Sequence, residues 1–552
     1  MKKMMKYFAA LVLGAMMMTA CSEDYLETSP TNSLDASQLK ESVENFESYI
    51  NGINLLMVYQ QGAYGQGYCG MMNLLSKLGN ECGNDWSGLA FGGYNSANMA
   101  LTTNNTAAYS GYAWWFLYQI IGQANRVLVQ IKDAEGDEDL KAFYTAQALT
   151  YRAYCYQYLV QVFSKRWMDS NNGATEGVIL RLDDDMNAEG LYNTPDKGVS
   201  TLAECYAQIY ADCDEAISLF QQSGMDAKNF YEPSLALAIG VKARAALCRE
   251  DWETAAEYAG MISEAYGLMS ADEFQSGFHT ANDEWIFGGW GSSSENMWYY
   301  TFGTYYAYNG YYAARAGYNI IGNRDLVDKL SDADARKQLY VTPSYMGYSA
   351  EDIDAAFESG LLNSYCEPDM ETEEGYEMGY NIYKYTLAGV PGVAANINTT
   401  GYYPAYQAFY SQLKFGVFDL PGVHHSVYMR AAEMYLTQAE ALCKQATPDY
   451  ATAQDLLYAV NSRLDPTYKK STKTGQELID EIMFYRRAEL WGEGHDWFDL
   501  KRTGGTISRR DTKDGGTFGA NFAKTIGPND EGTNDWVWVI PLAETQYNAE
   551  LK

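Results

Sequence analysis

Chemistry by proton transfer, metal or nucleophile has few carriers in this chain. The four histidines, His279, His424, His425 and His495, include no H-E-x-x-H or other metal spacing. The adjacent pair His424-His425 reads as the flank of a helix start. No G-x-S-x-G turn presents a serine nucleophile. Asp183-Asp184-Asp185 lacks the spacing and the glycine of a calcium loop, so it reads as surface charge. A carboxylate pair for glycoside hydrolysis is recognised only by its separation in space, and with 71 acidic residues any single Asp or Glu is first a solvated charge.

What the chain does concentrate is flat aromatic surface. Between Trp290 and Tyr318 stand Trp290, Trp298, Tyr299, Tyr300, Phe302, Tyr305, Tyr306, Tyr308, Tyr311, Tyr312 and Tyr318, among Gly, Ser and Asn. Glycine and asparagine deny that stretch a long helix. Tyr and Trp supply stiff faces with one polar edge, a surface that suits the C–H-rich face and hydroxyl rim of a sugar. About half of these rings are expected to fill an irregular core, since large aromatics are mostly buried. An earlier Gly- and Tyr-rich stretch carries a lone tryptophan in Asn84-Asp85-Trp86.

The elements that must position these rings are helical. Phe143, Ala146, Leu149, Ala153, Tyr156, Val160 and Phe163 step by three and four, an apolar stripe predicting a helix over 139–163. Further helices are predicted near 42–59, from 107, and at 200–220, 234–249 and 252–266. The last two flank a short turn with alanines at the contact, which suggests a tetratricopeptide-like pair. Residues 60–106 read as loop, and their Gly65-to-Gly70 G-x-G-x-x-G has no strand before it and is dismissed. Glu284 to Phe287 reads as a short strand with Trp285 and Phe287 in the core. Helices are predicted again at 323–331, 427–445, 449–463 and 475–493, and a short strand at 537–541. In the first helix of the C-terminal set, Tyr428, Ala432, Tyr435, Ala439 and Leu442 mark one face; Arg430, Glu433, Thr437 and Glu440 mark the other.

Composition narrows the ligand. At 552 residues and 47% hydrophobic the chain can bury a large core, and its net charge of −32 lacks the basic footprint of nucleic-acid binding. Neutral ligands fit best. Lys2, Lys3 and Lys6 precede a short apolar run that ends in Met18-Thr19-Ala20-Cys21. This resembles a lipoprotein signal-peptidase box with Met18 in place of the more usual Leu. Acylation at Cys21 would tether the chain stably, because two or more acyl chains hold where one does not. Ser22-Glu23-Asp24 resembles the acidic tag of surface-exposed lipoproteins. No CxxC spacing supports zinc, and Cys69 with Cys82 is the single pair worth testing as a disulfide.

Several segments together resemble the SusD/RagB family of nutrient-binding outer-membrane lipoproteins. They are Arg430-Ala431-Ala432-Glu433-Met434-Tyr435-Leu436 with Ala439-Glu440-Ala441, Val460-Asn461-Ser462-Arg463, Arg486 to Arg502, and Ile540-Pro541-Leu542 with Glu544 and Asn548. Tyr118 to Asn125 and Tyr151-Arg152-Ala153-Tyr154 are similar to the family's early helices. Tyr485 and His495 depart from its pattern, within scaffold. The resemblance implies a mostly α fold of tetratricopeptide-like helical pairs, with an inserted loop-rich aromatic ligand-binding region and a few short strands. It divides the chain into a signal peptide (1–20), lipidated leader (21–41), N-terminal helices (42–270), aromatic insert (271–426) and C-terminal helices with a closing segment (427–552). It implies a non-catalytic, surface-exposed lipoprotein of the outer membrane that needs no cofactor. Such a protein captures oligosaccharide for a TonB-dependent SusC-like transporter. Candidate ligand residues are Asn84 and Trp86 in the early loop, and Trp290, Trp298, Tyr299, Tyr305, Tyr306 and Tyr318 in the insert. The competing expectations are a peptide or other nutrient binder, a glycosidase, and a structural partner of the transporter.

Overall fold

The computed structural model describes residues 40–60, 67–83, 102–293, 301–308, 310, 320–340, 342, 366–368, 376–377, 382–387, 395–398, 410–419, 422–511, 514–518 and 522–552. Its centre is a long helix, α4 (Glu138–Phe163), following α1 (Asn45–Leu56), α2 (Gly67–Leu78) and α3 (Ala108–Gln130). Asp137 starts α4 by accepting the Asp139 and Leu140 N–H groups, which satisfies orphan donors of the first turn. The predicted stripe understates its burial: α4 is enclosed around most of its circumference, by α3, α5 (Leu202–Ser223) and α6 (Leu235–Cys248). α5 opens on a reciprocal Thr201–Glu204 capping box and closes on Gly224 at φ +62°.

α6 and α7 (Trp252–Ala265) form the expected pair, with Ala243, Ala245, Ala246, Ala255, Ala256 and Ala259 buried. Helix-rich architecture with few short strands agrees with the expected fold class. Three local expectations change. Residues 60–106 are not all loop, since α2 buries Met71, Leu75 and Leu78, spaced by four and three behind a glycine-rich entry. Gly67 makes that entry at φ +46°, where a Cβ would lie 2.0 Å from the Met57 carbonyl oxygen. The predicted helix at 427–445 begins as a strand, β8 (Ser426–Arg430), because its first residues pair with β2 (Trp285–Gly289); α9 runs over Ala431–Lys444. Residues 537–540 are extended but join no ladder, and the Trp538 N–H donates to the Val162 carbonyl at 3.1 Å.

The C-terminal set is α9, α10 (Tyr450–Ser462), α11 (Gly475–Glu489) and α12 (Asp496–Thr503). The polar face of α9 is interior: Glu433, Thr437 and Glu440 are buried. Glu433 is paired with Arg244 of α6 at 2.6 Å and Glu440 with Arg502 of α12 at 2.7 Å. Burial would raise both carboxyls, but the guanidiniums outweigh it: Glu433 is held at about 2, and Glu440 is also held well below its usual range. Short strands complete the fold. β1 (Cys82–Gly83) pairs antiparallel with β3 (Ile321–Gly322), and β6 (Ile382–Leu387) pairs with β4 (Cys366–Pro368), β5 (Tyr376–Glu377) and β7 (Ala395–Asn398).

Cys69, Cys82, Cys155, Cys205, Cys213, Cys248 and Cys443 are buried thiols, none in a disulfide. Cys69 donates to Ser426 Oγ at 2.9 Å and Cys82 meets Tyr306 Oη at 2.8 Å, so the tested disulfide is not formed. Asp183 is a paired surface charge, bridged to Lys132 and Arg152, and among the described residues no group of side chains could hold a metal ion.

Candidate aromatic binding platform

The β2–β8 ladder runs from Trp285 opposite Arg430 to Gly289 opposite Ser426. One step beyond its last pair, Trp290 and His425 become neighbours across the strands. Their ring centroids are 4.5 Å apart with the planes inclined by 31°. β2 is buried throughout, whereas Trp290 at its end is 48% exposed. Gly291 permits the approach, for a Cβ there would lie 1.8 Å from the His424 carbonyl oxygen. Its N–H donates to His425 Nδ1 at 3.0 Å.

Two other segments complete the surface. The Gly288 N–H donates to the Phe230 carbonyl at 2.9 Å, docking the α5–α6 connection against β2. Phe230 then lies 5.3 Å from His425, and Tyr231 meets Trp290 edge-on at 5.7 Å. On the far side the His425 N–H donates to the His279 carbonyl, and a tight turn closed by Phe418 N–H to Val423 O and Val423 N–H to Asp419 O presents Phe418. Phe418 is 47% exposed and stands edge-on to His425 at 5.1 Å and to His279 at 6.0 Å. Exposed apolar rings clustered in this way mark an interaction surface where isolated ones do not.

All three histidines of the platform are shifted toward the neutral form. Burial lowers His425, helped by the neighbouring charge of His279, and burial lowers His279 as well. His424 behind them is fully buried and pushed down to about 4 by desolvation. Its Nδ1 lies 2.9 Å from Ser426 Oγ, and its Nε2 is buried without a hydrogen-bond partner. The imidazoles and the rings around them together offer flat faces suited to stacking.

Of the residues singled out from the sequence, Trp290 is on this surface. Tyr306 is not. It is fully buried in the short helix α8 (Phe302–Tyr306), which lies between α7 and α9 in the chain, and it stacks on Phe302 at 4.5 Å. Its ring is core, and its hydroxyl is engaged by Cys82. Tyr305 lies on the same helix, with its side chain outside the described set. Asn84, Trp86, Trp298, Tyr299 and Tyr318, and the lipidation candidate Cys21, lie outside the described residues. Sequence reasoning missed Phe230, Tyr231, Phe418 and His425 as members. They stand on separate connections that only the β2–β8 ladder brings together. The His424-His425 pair flanks a strand, not a helix.

At the other end of the ladder a buried ionic cluster anchors β8. Arg430 donates to Glu284 Oε1 at 2.7 Å, Glu489 Oε1 at 2.8 Å, the Glu489 carbonyl at 2.8 Å and both Glu493 oxygens at 2.9 Å. Burial alone would raise Glu489, but Arg463, Arg430 and Arg336 hold it at about 2. Burial lowers Lys414 to about 8 against the pull of Glu493, 2.6 Å away.

Residues 261–552 match the model of the SusD family, and residues 24–247 match a SusD-like family described as starch-binding and associating with the outer membrane. Among solved structures, the chain is similar to a SusD-like carbohydrate-binding protein from Bacteroides vulgatus (20% identity, TM-score 0.68, covering 93% of this chain and 97% of that one). It is also similar to a SusD superfamily protein from Bacteroides thetaiotaomicron (19% identity, TM-score 0.66, covering 93% and 99%). A laminarin-binding SusD-like protein matches at 18% identity and TM-score 0.60, over 92% of this chain and 98% of its own. A search of curated proteins found no match. Among the described residues, no helix is long and apolar enough to cross a membrane.

Proposed function

The chain belongs to the SusD family, and on that premise we propose that it is a non-catalytic, surface-exposed outer-membrane lipoprotein. In this reading it captures neutral oligosaccharide on the Trp290 platform and passes it to a TonB-dependent SusC-like transporter. Tethering would be through Cys21 after removal of residues 1–20. The observation that carries the reading is an indole 48% exposed at the end of a fully buried strand, backed on one side by His425. A ring held that way offers its free face to the C–H surface of a pyranose. Each stacked ring contributes on the order of 1 kcal/mol, which after the costs of association leaves weak to moderate affinity. That suits a receptor that must release its cargo intact.

The early-loop pair Asn84 and Trp86, and Trp298, Tyr299, Tyr305 and Tyr318, are proposed to extend the surface. The test is affinity electrophoresis and calorimetry against a panel of neutral glycans, with Trp290→Ala and Trp86→Ala beside the unaltered chain. Retarded mobility that Trp290→Ala abolishes is the expected result. Unchanged mobility in every glycan would defeat the reading, and release of shorter sugars by the purified chain would favour a glycosidase.

A further inference from the structure

We propose that His425 is a positioning residue whose neutral ring holds the Trp290 indole ready for ligand, so that capture is lost when His425 takes up a proton. The inference rests on the glycan-binding reading and adds its regulation.

Two contacts made by one imidazole carry it. The ring lies against one side of the indole at 4.5 Å, and its Nδ1 accepts the Gly291 N–H at 3.0 Å. A backbone N–H is always a donor, so Nδ1 must offer its lone pair and the ring's proton must sit on Nε2. This contact therefore selects one tautomer. Because Gly291 follows Trp290 directly, the same bond fixes the backbone from which the indole projects.

Protonation puts a second hydrogen on Nδ1, facing the Gly291 N–H. Two donors then oppose each other and the bond cannot survive. An imidazolium under an indole would gain a cation–π attraction, but at a half-exposed site that is the smaller effect against a lost hydrogen bond and an unsatisfied N–H. The neighbourhood adds to the penalty. Among the described residues, the titratable groups around His425 are His424 beside it, His279 across Phe418, and Tyr231 at the edge of Trp290. Asp419, Glu232 and Lys228 stand on the segments that bring in Phe418 and Tyr231. Of all these, His279 is the one whose own protonation opposes a proton on His425. Burial and His279 both disfavour the proton on this ring, and a ring that does take one up loses its bond to Gly291 and with it its hold on the indole.

The experiment uses the chain from residue 22 onward and immobilised or free laminari-, cello-, malto- and xylo-oligosaccharides as probes, with calorimetry from about pH 8 down to about pH 5. For the probe that binds, affinity should be flat above about pH 6.5 and then fall by at most about tenfold per pH unit, the signature of one linked proton. His425→Phe keeps a flat ring without the acceptor and should bind roughly fivefold more weakly at neutral pH. His425→Asn can place an amide oxygen where Nδ1 stood, so it should recover part of that loss with the acid fall-off removed. A residue that merely packs would not separate Phe from Asn by pH profile. Nitrogen NMR of histidine-labelled protein, with the His425 signal identified by its absence from His425→Asn, should show an unprotonated Nδ1 and a protonated Nε2 at about pH 7.5. The opposite tautomer overturns the proposal whatever the ligand. A pH profile shared by the unaltered chain and His425→Asn overturns the positioning role alone. Failure of every probe to bind defeats the glycan reading and the gating that rests on it.

Discussion

Arg430→Met should be among the most damaging single changes in the scaffold, and its cost can be worked from the contacts. Arg430 is 1% exposed and neutralises three carboxylates that are themselves 0 to 4% exposed. After substitution Glu493 keeps Lys414 at 2.6 Å, and Glu489 keeps Arg336 at 3.4 Å and Arg463. Glu284 keeps no cation among the described residues, only the Met269 and Ala432 N–H groups at 2.7 and 3.1 Å. Removing one partner of a buried pair costs about 3–5 kcal/mol, and the Glu489 carbonyl loses a donor worth about 1 kcal/mol besides. A net loss of about 3–5 kcal/mol is expected, since two of the three carboxylates retain a cation. Glu284→Gln in the same chain removes the stranded charge and should recover at least about 1 kcal/mol, seen as coupling in a double-mutant cycle. Equilibrium urea unfolding followed by circular dichroism measures each variant. A loss below about 1 kcal/mol for Arg430→Met would refute the argument that these charges, rather than the surrounding apolar packing, fix β8 to α11.

Tyr306→Phe should cost about 1 kcal/mol of stability by breaking the contact with Cys82 and leave glycan affinity unchanged, checked by urea unfolding and calorimetry on the same preparation. Reducing agent should not shift the thermal midpoint, and a thiol reagent should label none of the seven cysteines whose side chains are described until the protein is unfolded, because all are buried and none is in a disulfide. Lys501 is pushed down to about 7 by burial, and its Nζ donates to the Gln161 and Ser164 carbonyls at 2.6 and 2.8 Å. The folded chain has released this proton between about pH 7 and 10.5 while the unfolded chain retains it, so stability from this site rises with pH across that window by at most about 1.4 kcal/mol per unit. Lys501→Met should therefore lose ground against the unaltered chain as unfolding is measured from about pH 7 to about pH 9, and a constant gap would count against it.

The helices were legible because their signals are local. The three-and-four stepping of Phe143 to Phe163 and the alanines at the α6–α7 crossing need no knowledge of distant residues. The polar face of α9 misleads a local reading, since Glu433 and Glu440 are interior only because Arg244 and Arg502 arrive from α6 and α12. Val427 to Arg430 has helical spacing, yet ladder partners on β2 make it a strand. At the platform, sequence distinguishes Trp from Tyr but not the exposed Trp290 from the enclosed Tyr306 sixteen positions on. His425, Phe230 and Phe418 carry no motif, and their meeting is a property of chain topology.

The charge pairs that lock α9 to α6 and α12 lie wholly among helices, at a remove from the connections that bear Phe230, Trp290 and Phe418. Architecture and appetite are thereby uncoupled. New rings on those connections would change what that surface can stack against while the frame beneath stayed as it is.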